Sequence, residues 1–327
     1  MTELTIPRGS LGAVGHELGR GGQARVYLMP GLFLPDAPGP LVFKEYRNRS
    51  TPPHGLRSLV AVRNRLDAAT RTRLDALTCW PLRVVEDNGV VRGVVLRLIP
   101  PSFIQERILP GTGARKHDPR DVQNLIVEPG MARRLGMPCP TPQQRLTICR
   151  DFAAAVHLVH RLGLVVGDIN PRNTLYQLPD RPSIMLLDCD AVRVKGSMSV
   201  VAQLNAPDWE PPEGGRALTQ ATDRYKLGLF VLRCLSPGKQ SSINLDPSRA
   251  DAALDAQGRT LMRAALGRTP GQRPTAQDWG RYLDWLITGR RAHPSHGSGD
   301  GQQTDGQQTA STRGLRRDAS GVWRPVN

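Results

Sequence analysis

The spacing of apolar residues changes at Thr141, and this change limits the chain to an α+β fold. Ahead of it, residues 12–46 contain short apolar runs separated by glycine turns, which is typical of strands. Residues 81–99 repeat this pattern on both sides of Asn88-Gly89, a dipeptide that favours a two-residue hairpin turn. Residues 56–77 have the leucine and valine spacing of one helix. The first part of the chain is therefore predicted to be mainly β.

The second part of the chain is predicted to be mainly helical. Thr141-Pro142 is a favourable helix start, and helical apolar spacing continues from there to Gly163, which is expected to end the helix. After an irregular segment that extends to about residue 215, further helical patterns continue to residue 288. Between the two parts, residues 101–141 contain few periodic apolar positions and predict a long connection with short helices.

Composition excludes several classes of protein. No apolar run approaches the roughly 18 residues of a membrane span, and the first residues lack a signal-peptide pattern, so we expect a cytoplasmic protein that makes no membrane contact. The five cysteines form no Cys-x-x-Cys pair. This spacing argues against both a zinc site and a disulfide framework.

The formal net charge of +15 raises the question of nucleic-acid binding. All but five of the 44 basic residues are arginine, and they are spread along the whole chain instead of forming one block or helix face. Nucleic-acid binding typically needs such a concentrated basic surface. We therefore do not expect a nucleic-acid partner. A coding bias toward arginine, or attraction to acidic and phosphorylated partners, explains the charge as well.

Three polar side chains lie at the ends of three short strands predicted at 164–166, 174–176 and 184–188. Asp168 and Asn173 lie in the turn between the first two strands, and Asp188 ends the third. Turn formation alone could explain one such residue, since Asp and Asn favour turns. Strand ends that converge would bring all three side chains together, and their oxygens suit Mg²⁺.

A glycine-rich turn and an isolated lysine lie in the β part. Gly19, Gly21 and Gly22 separate two predicted strands, where their small size would let the backbone approach a phosphate. Val26 follows on the second strand and could cover an adenine ring. Lys44 lies on the next apolar strand, and lysine is rare in this chain. A plain hairpin with a surface lysine is the alternative reading of this stretch.

Taken in order, these features resemble the protein kinase family, and most closely a divergent bacterial serine/threonine kinase-like group. The resemblance implies a two-lobed fold that binds ATP and Mg²⁺ between a small, mainly β lobe and a larger, mainly α lobe. It implies that the glycine turn and Val26 bind the nucleotide and that Lys44 binds its phosphates. By the same resemblance, Asp168 is the catalytic base, and Asn173 and Asp188 bind the metal.

The resemblance continues towards the C-terminus. Glu213 in "APDWEPPE" matches the end of an activation segment, and Arg273 in "GQRPTA" matches its partner. Asp223 in "TDRYKLG" matches the residue that fixes the catalytic loop. The implied domains are an N-lobe at 1–100, a C-lobe at 101–288 and a tail at 289–327. The tail is rich in Gly, Gln, Ser and Thr and is predicted to be disordered.

Three departures from the family pattern lie in the two loops. Ala24 replaces the third glycine of the nucleotide loop. Val166-Gly167 replaces the His-Arg before the catalytic aspartate, so no arginine is present there to bind a phosphorylated activation segment. Asn170 replaces a lysine, which removes a positive charge from the γ-phosphate.

Two further departures concern Lys44 and the metal motif. Cys189-Asp190 replaces Phe-Gly, and the loss of glycine is expected to stiffen that loop. The helix predicted at 56–77 contains no glutamate to pair with Lys44. The candidates that remain nearby in the sequence are Asp67, Asp75 and Glu45, although their side chains are shorter or point the wrong way.

The resemblance therefore predicts an ATP- and Mg²⁺-dependent protein kinase whose substrate is a protein hydroxyl, including hydroxyls of its own tail. A pseudokinase that binds nucleotide or partner proteins without turnover is the main alternative, because of the missing glutamate and the altered motifs. A small-molecule phosphotransferase is a third possibility. Residues 97–100 are expected by position to line the hinge and to meet the adenine.

Overall fold

The computed structural model shows an α+β chain. Its contacts fall into two compact units, Met1–Ala292 and His293–Asn327. The structure describes residues 3–47, 53–109, 111–178, 181–194, 208–214, 218–289, 315–317 and 323–325.

The largest sheet among the described residues has six strands and lies in the first unit. Its strands are β1 (Thr5–Pro7), β2 (Glu17–Arg20), β3 (Ala24–Met29), β4 (Leu41–Tyr46), β5 (Arg83–Asp87) and β6 (Val90–Arg97). The strand order is β1-β5-β6-β4-β3-β2, and all neighbours are antiparallel except β1 and β5. The predicted hairpin is confirmed, with Asn88 and Gly89 both at positive φ between β5 and β6.

Both faces of this sheet are covered, because successive side chains of a strand point to opposite sides. Val42 on β4 and Val94 on β6 pack with Leu56 and Val60 on one face. Phe43, the next residue of β4, packs on the other face with Leu11, Met29, Leu82 and Val95. Two buried faces explain why these strands contain apolar runs instead of a strict alternation.

The prediction of a single helix at 56–77 is wrong, because the structure has two helices there. They are α1 (Pro53–Arg65) and α2 (Ala68–Leu77). The break lies at Asp67, whose backbone is extended and whose side chain accepts a hydrogen bond from the Thr70 amide at 2.9 Å. An aspartate in this position caps the amides of a new helix. The apolar spacing continues across the break and therefore hides it.

The connection at 101–141 contains a hairpin that the sequence pattern did not predict. β7 (Ile104–Ile108) pairs antiparallel with β8 (Arg115–Pro119). The predicted short helices follow as α3 (Gln123–Ile126) and α4 (Pro129–Arg134). The two strands expose most of their side chains. They consequently lack the alternation of apolar and polar residues by which a strand is recognised.

The helical part is confirmed. α5 (Pro142–Arg161) begins with a capping box between Thr141 and Gln144, and Gly163 follows its end at φ 74°. The later helices are α6 (Gln220–Leu235), α7 (Ala256–Ala265) and α8 (Ala276–Thr288). Phe152 of α5 stacks on Phe230 of α6 at 3.8 Å in the centre of the core. None of the helices within the described ranges is both long and apolar enough to cross a lipid bilayer.

The described residues between α5 and α6 include four short strands. They are β9 (Leu164–Val165), β10 (Thr174–Gln177), β11 (Ser183–Leu186) and β12 (Arg193–Val194). β10 pairs antiparallel with β11, and β9 pairs antiparallel with β12. The three short strands predicted at 164–166, 174–176 and 184–188 are present as β9, β10 and β11, but β11 ends at Leu186, so Asp188 lies two residues beyond the strand instead of at its end. The loop between β9 and β10 contains Asp168 and Asn173. These strands fix the two ends of the loop that contains both residues.

The second unit has two described strands, β13 (Leu315–Arg317) and β14 (Trp323–Pro325), which pair antiparallel. Most of the tail predicted at 289–327 lies outside the described residues, and the prediction that it is disordered stays a prediction. The division into domains at 1–100, 101–288 and 289–327 also remains a prediction.

Candidate functional site

The loop between β9 and β10 holds Asp168 in a fixed position. Asn173 donates its side-chain amide to Oδ2 of Asp168 at 2.8 Å, and Asn170 donates to Oδ1 at 2.9 Å. The Asn170 oxygen in turn accepts the backbone amides of Arg172 and Asn173. Both carboxylate oxygens of Asp168 are therefore held by amides of the same short loop. The sequence indicated only that Asn170 replaces a positively charged lysine. In the structure Asn170 is one of the two residues that hold the Asp168 carboxylate.

Helix α6 anchors the loop from the core. The fully buried carboxylate of Asp223 accepts the backbone amides of Val166 at 2.8 Å and Gly167 at 2.9 Å, and it also contacts Nε2 of His160. The contact expected of Asp223 is therefore present. Lys226, one helical turn later, donates to the carbonyl of Gly167 at 2.7 Å. Burial lowers the pKa of Lys226, and the charge of Asp223 opposes this shift.

Lys44 bonds to two aspartates. Its Nζ lies 2.9 Å from Oδ1 of Asp188 and 2.8 Å from Oδ1 of Asp190. The hydroxyl of Tyr46 donates to the other oxygen of Asp190 at 2.6 Å. The Asp190 side chain is 8% exposed and that of Asp188 is 53% exposed. The lysine thus connects a buried carboxylate with one that faces solvent.

The electrostatics of this cluster follow from its burial and its charges. Burial by itself would lower the pKa of Lys44, but Asp190 and Asp188 outweigh it and hold the pKa above its ordinary value. Burial, together with the negative charge of Asp190, raises the pKa of Tyr46 well above its ordinary value. Lys44 is therefore a cation and Tyr46 a neutral hydrogen-bond donor at neutral pH.

The partners considered for Lys44 from the sequence lie elsewhere. Asp67 caps α2. Asp75 bonds to the guanidinium of Arg63 at 2.7 Å, and Glu45 lies 3.7 Å from Arg8. Glu45 precedes Tyr46 on β4, and neighbouring side chains of a strand point to opposite faces, so it cannot share the Lys44 face.

Asp190 and Tyr46 are the residues that sequence reasoning missed. Tyr46 is two residues beyond Lys44 on β4, so both side chains lie on one face of the sheet. That spacing could have indicated a shared partner. Asp190, by contrast, lies 146 residues away in the sequence, and no local pattern connects it with Lys44.

The backbone at Asp188 is left-handed, at φ 52° and ψ 32°, and a short 3-10 helix follows at Cys189–Ala191. This turn buries the Cys189 side chain and directs the chain so that Asp190 can reach Lys44. The sequence led us to expect stiffening from the missing glycine at position 190. In the structure the unusual conformation falls on Asp188, a residue type that tolerates it.

Asn173 and Asp188 lie on paired chain segments. The amide of Leu187 donates to the carbonyl of Asn173 at 2.8 Å, just beyond the β10–β11 pairing. The Asn173 side-chain nitrogen bonds to Asp168, which leaves its oxygen for a cation, and the carboxylate of Asp188 is half-exposed. Among the described residues, no group of three or more His, Cys, Asp or Glu side chains could hold a metal by itself. The donors present fit Mg²⁺ when phosphate oxygens complete its shell.

The glycine-rich turn lies between β2 and β3. A Cβ added at Gly19 or Gly22 would meet no atom within 4 Å, and neither glycine has a positive φ. Neither packing nor backbone conformation therefore requires glycine at these positions, which is consistent with close approach of a ligand. Val26 on β3 lies opposite both Gly19 of β2 and Lys44 of β4. The structure thus brings Val26 and Lys44 onto one face of the sheet.

A cavity of about 890 Å³ lies next to the segment that joins the sheet to the helical part. Residues 97–100, which were expected to line the hinge, contribute to its wall together with Cys79, Phe103 and Met185. Lys44, Asp168 and Asp188 do not line it. The wall of this cavity and the polar cluster around Lys44 and Asp168 therefore consist of different residues.

Arg273 and Glu213 form a two-point ion pair. The guanidinium nitrogens lie 2.7 Å and 2.6 Å from the two carboxylate oxygens, and Arg273 is buried. Arg273 also donates to the carbonyls of Ala221 and Gly267. The guanidinium lowers the pKa of Glu213. The pairing expected from the sequence is present.

A scan of the sequence against models of known protein families found no match. The functional interpretation therefore rests on the geometry of the site and on the order of its motifs.

Proposed function

We propose that the chain is an ATP- and Mg²⁺-dependent serine/threonine protein kinase with the two-lobed fold of that family. One connected set of contacts carries the proposal. Lys44 bonds to Asp188, the segment of Asp188 pairs with Asn173, and Asn173 bonds to Asp168. These contacts link four residues. In the proposed function they are the phosphate-binding cation, two metal ligands and the carboxylate base.

The surroundings of this set support the proposal. The sheet carries Lys44 and an open glycine turn, and the helical part holds Asp168 through Asp223 of α6. ATP between these two parts would meet glycine backbone, Val26 and Lys44 from the sheet. Helix α6 and the strands β9 to β11 would supply the groups that act on the acceptor.

In the proposed reaction Lys44 holds the phosphates of ATP by charge. Asp168 accepts a hydrogen bond from the acceptor hydroxyl and takes its proton as the oxygen attacks the γ-phosphorus. The new O–P bond forms while the bond to the β-phosphate oxygen breaks, and ADP leaves with that electron pair. Asn170 and Asn173 keep the Asp168 carboxylate in one orientation, and positioning is the main requirement of such a loose transition state.

Asn173 and Asp188 would hold Mg²⁺ through their side-chain oxygens. The ion would neutralise charge that develops on the phosphate oxygens. The half-exposed position of Asp188 keeps its carboxylate accessible from solvent.

A protein substrate is favoured by the ion pair of Arg273 and Glu213. This pair ties residues 208–214 to the start of α6, the helix whose Asp223 holds the loop that contains Asp168. In the resembled family the equivalent segment belongs to the platform that receives peptide substrates.

The proposal is tested by phosphate transfer from radiolabelled ATP to a panel of proteins and to the chain itself. Asp168→Asn should lower the rate by about 100- to 10,000-fold, because a positioned base contributes that much. Asp87→Asn is the matched control, since Asp87 pairs with Arg92 at the β5–β6 hairpin and contacts none of the four residues of this set. If the wild-type protein transfers no phosphate in the presence of any divalent metal ion, the proposal that it is a kinase is wrong.

A pseudokinase is the second candidate, and one observation favours it. Asp188, a candidate metal ligand, is already bonded to Lys44, the candidate phosphate ligand. While this ion pair persisted, Asp188 would offer one oxygen fewer to Mg²⁺ and Lys44 one hydrogen fewer to a phosphate. The transfer assay separates the two functions, because a pseudokinase binds nucleotide or partner proteins and transfers no phosphate; calorimetry with ADP in Mg²⁺ shows whether nucleotide is bound.

A further inference from the structure

We propose that Asp190, held by Tyr46, is the positioning residue for Lys44 and takes the place of the carboxylate that the helices α1 and α2 do not supply. The inference deepens the proposed function, on which it rests. The residues next to Asp190 in the sequence do not indicate this role.

The two aspartates around Lys44 differ in their surroundings. Asp190 uses both carboxylate oxygens, one for Lys44 and one for the Tyr46 hydroxyl, and its side chain is nearly buried. Asp188 contacts the lysine through one oxygen and is half-exposed. Asp190 is therefore the fixed partner of Lys44 and Asp188 the exchangeable one.

This difference gives each aspartate a separate task. A cation bound by Asp188 would take over the negative charge that this residue presents to Lys44. Asp190 would remain beside the lysine, so the Nζ would stay in place with hydrogens free for phosphate oxygens. Without Asp190, the flexible lysine side chain would have no fixed partner in the loaded site.

The fold explains why the carboxylate comes from this segment. α1 contains neither Asp nor Glu, and Asp75 of α2 is bound to Arg63. β4 presents both Lys44 and Tyr46 on one face. The turn that follows Asp188 is anchored by the buried Cys189, and it brings Asp190 to these two side chains.

The experiment measures binding of ADP and of adenosine by calorimetry in EDTA and again in Mg²⁺. Because Lys44 would contact phosphate and not the base, Asp190→Asn should weaken ADP binding by about 10- to 100-fold, as for a lost charged hydrogen bond. Adenosine affinity should stay unchanged. Tyr46→Phe should also weaken ADP binding, but by less. This variant replaces Asp190→Asn in the test if Asp190→Asn does not fold.

A double-mutant cycle tests whether Asp190 acts through Lys44. In the Lys44→Met background, Asp190→Asn should cause no further loss of ADP affinity. Glu45→Gln is the matched control, since Glu45 is adjacent on β4 but pairs with Arg8, and it should leave both affinities unchanged.

Three results would overturn the inference. They are an equal loss for adenosine and ADP, a loss of the same size in the Lys44→Met background, which would mean that Asp190 acts on the metal or the nucleotide and not on the lysine, and an unchanged ADP affinity of Asp190→Asn in Mg²⁺. A wild-type protein that binds no nucleotide would overturn both this inference and the kinase. If the cycle behaves as expected but no phosphate is transferred, the kinase fails and the role of Asp190 stands.

Discussion

Lys44 has one exposed and one buried anionic partner. This difference determines how much stability the protein loses when Lys44 is replaced. The side chain of Lys44 is itself largely buried against the sheet, and Tyr46 closes the far side of Asp190. A carboxylate in such a place is tolerable only while a cation faces it. The lysine is therefore a structural residue as well as a candidate phosphate ligand.

We expect Lys44→Met to lower the free energy of unfolding by roughly 1–3 kcal/mol, since it leaves Asp190 buried without its cation. Lys239→Met is the control, because Lys239 is exposed and its loss should change stability by less than about 0.5 kcal/mol. Urea unfolding of both variants measures the difference. Equal stabilities would show that Lys44 and Asp190 do not form this pair in solution.

At the scale of elements, the glycines of the sheet fall into two groups. Gly93 on β6 lies against β4, where an added Cβ would overlap the carbonyl oxygen of Lys44. Gly19 on β2 has open space around its Cα. The first glycine is required by the pairing of two strands, and the second is not required by any described neighbour.

This contrast predicts opposite effects of two alanine substitutions. Gly93→Ala should destabilise the sheet by about 2 kcal/mol or more, because a backbone atom must move. Gly19→Ala should melt like the wild type and should weaken ATP binding if the turn covers phosphates. Thermal melting and calorimetry on both variants make the comparison, and a destabilised Gly19→Ala protein would contradict it.

The segment at 208–214 depends on its ion pair with Arg273, and this dependence should vary with pH. Arg273 holds the pKa of Glu213 below its ordinary value of 4.5. The ion pair therefore contributes its full stability above pH 4.5. This contribution is lost as the pH falls through the lower pKa that Glu213 has in the folded protein.

We expect Glu213→Gln to cost about 1–2 kcal/mol at pH 7, a value reduced by the partial exposure of the glutamate. The difference from wild type should shrink progressively below pH 4.5. Denaturant unfolding over pH 3 to 7 (roughly the range over which carboxylates titrate) provides the test. A difference that stays constant over this range would mean that the pair does not stabilise the segment.

On the scale of the whole molecule, the contacts separate residues 293–327 from the unit that contains the candidate site. A chain that ends after Gly289 should therefore melt within a degree or two of the full-length protein, a change of the size expected for surface alterations. Treatment of the full chain with ATP, followed by mass spectrometry, would show whether Thr304, Thr309, Ser311, Thr312 or Ser320 is phosphorylated. A markedly lower melting temperature of the short chain would show that the tail stabilises the core.

Local patterns were sufficient for much of the fold. Asn88-Gly89 placed a hairpin, and Thr141 placed the start of the central helix, because each depends on residues a few positions apart. Asp168, Asn173 and Asp188 were identified in the same way, from strand ends and their turn residues.

The features that the sequence did not reveal depend on distant or unpatterned contacts. The break at Asp67 lies within an uninterrupted apolar spacing, and the strands β7 and β8 carry mostly exposed side chains. Asp190, the buried partner of Lys44, is separated from it by 146 residues in the sequence. Only the folded arrangement of the sheet and the turn after β11 shows which carboxylate reaches the lysine.

The bonds from Asp223 to the Val166 and Gly167 amides have a consequence for hydrogen exchange. These two amide protons point at a fully buried carboxylate of α6, so exchange with deuterium requires the helical core to open. They should exchange as slowly as the amides of α5 and α6, although they belong to a loop. Fast exchange at these two amides in a deuterium-labelling experiment would show that the loop moves independently of the core.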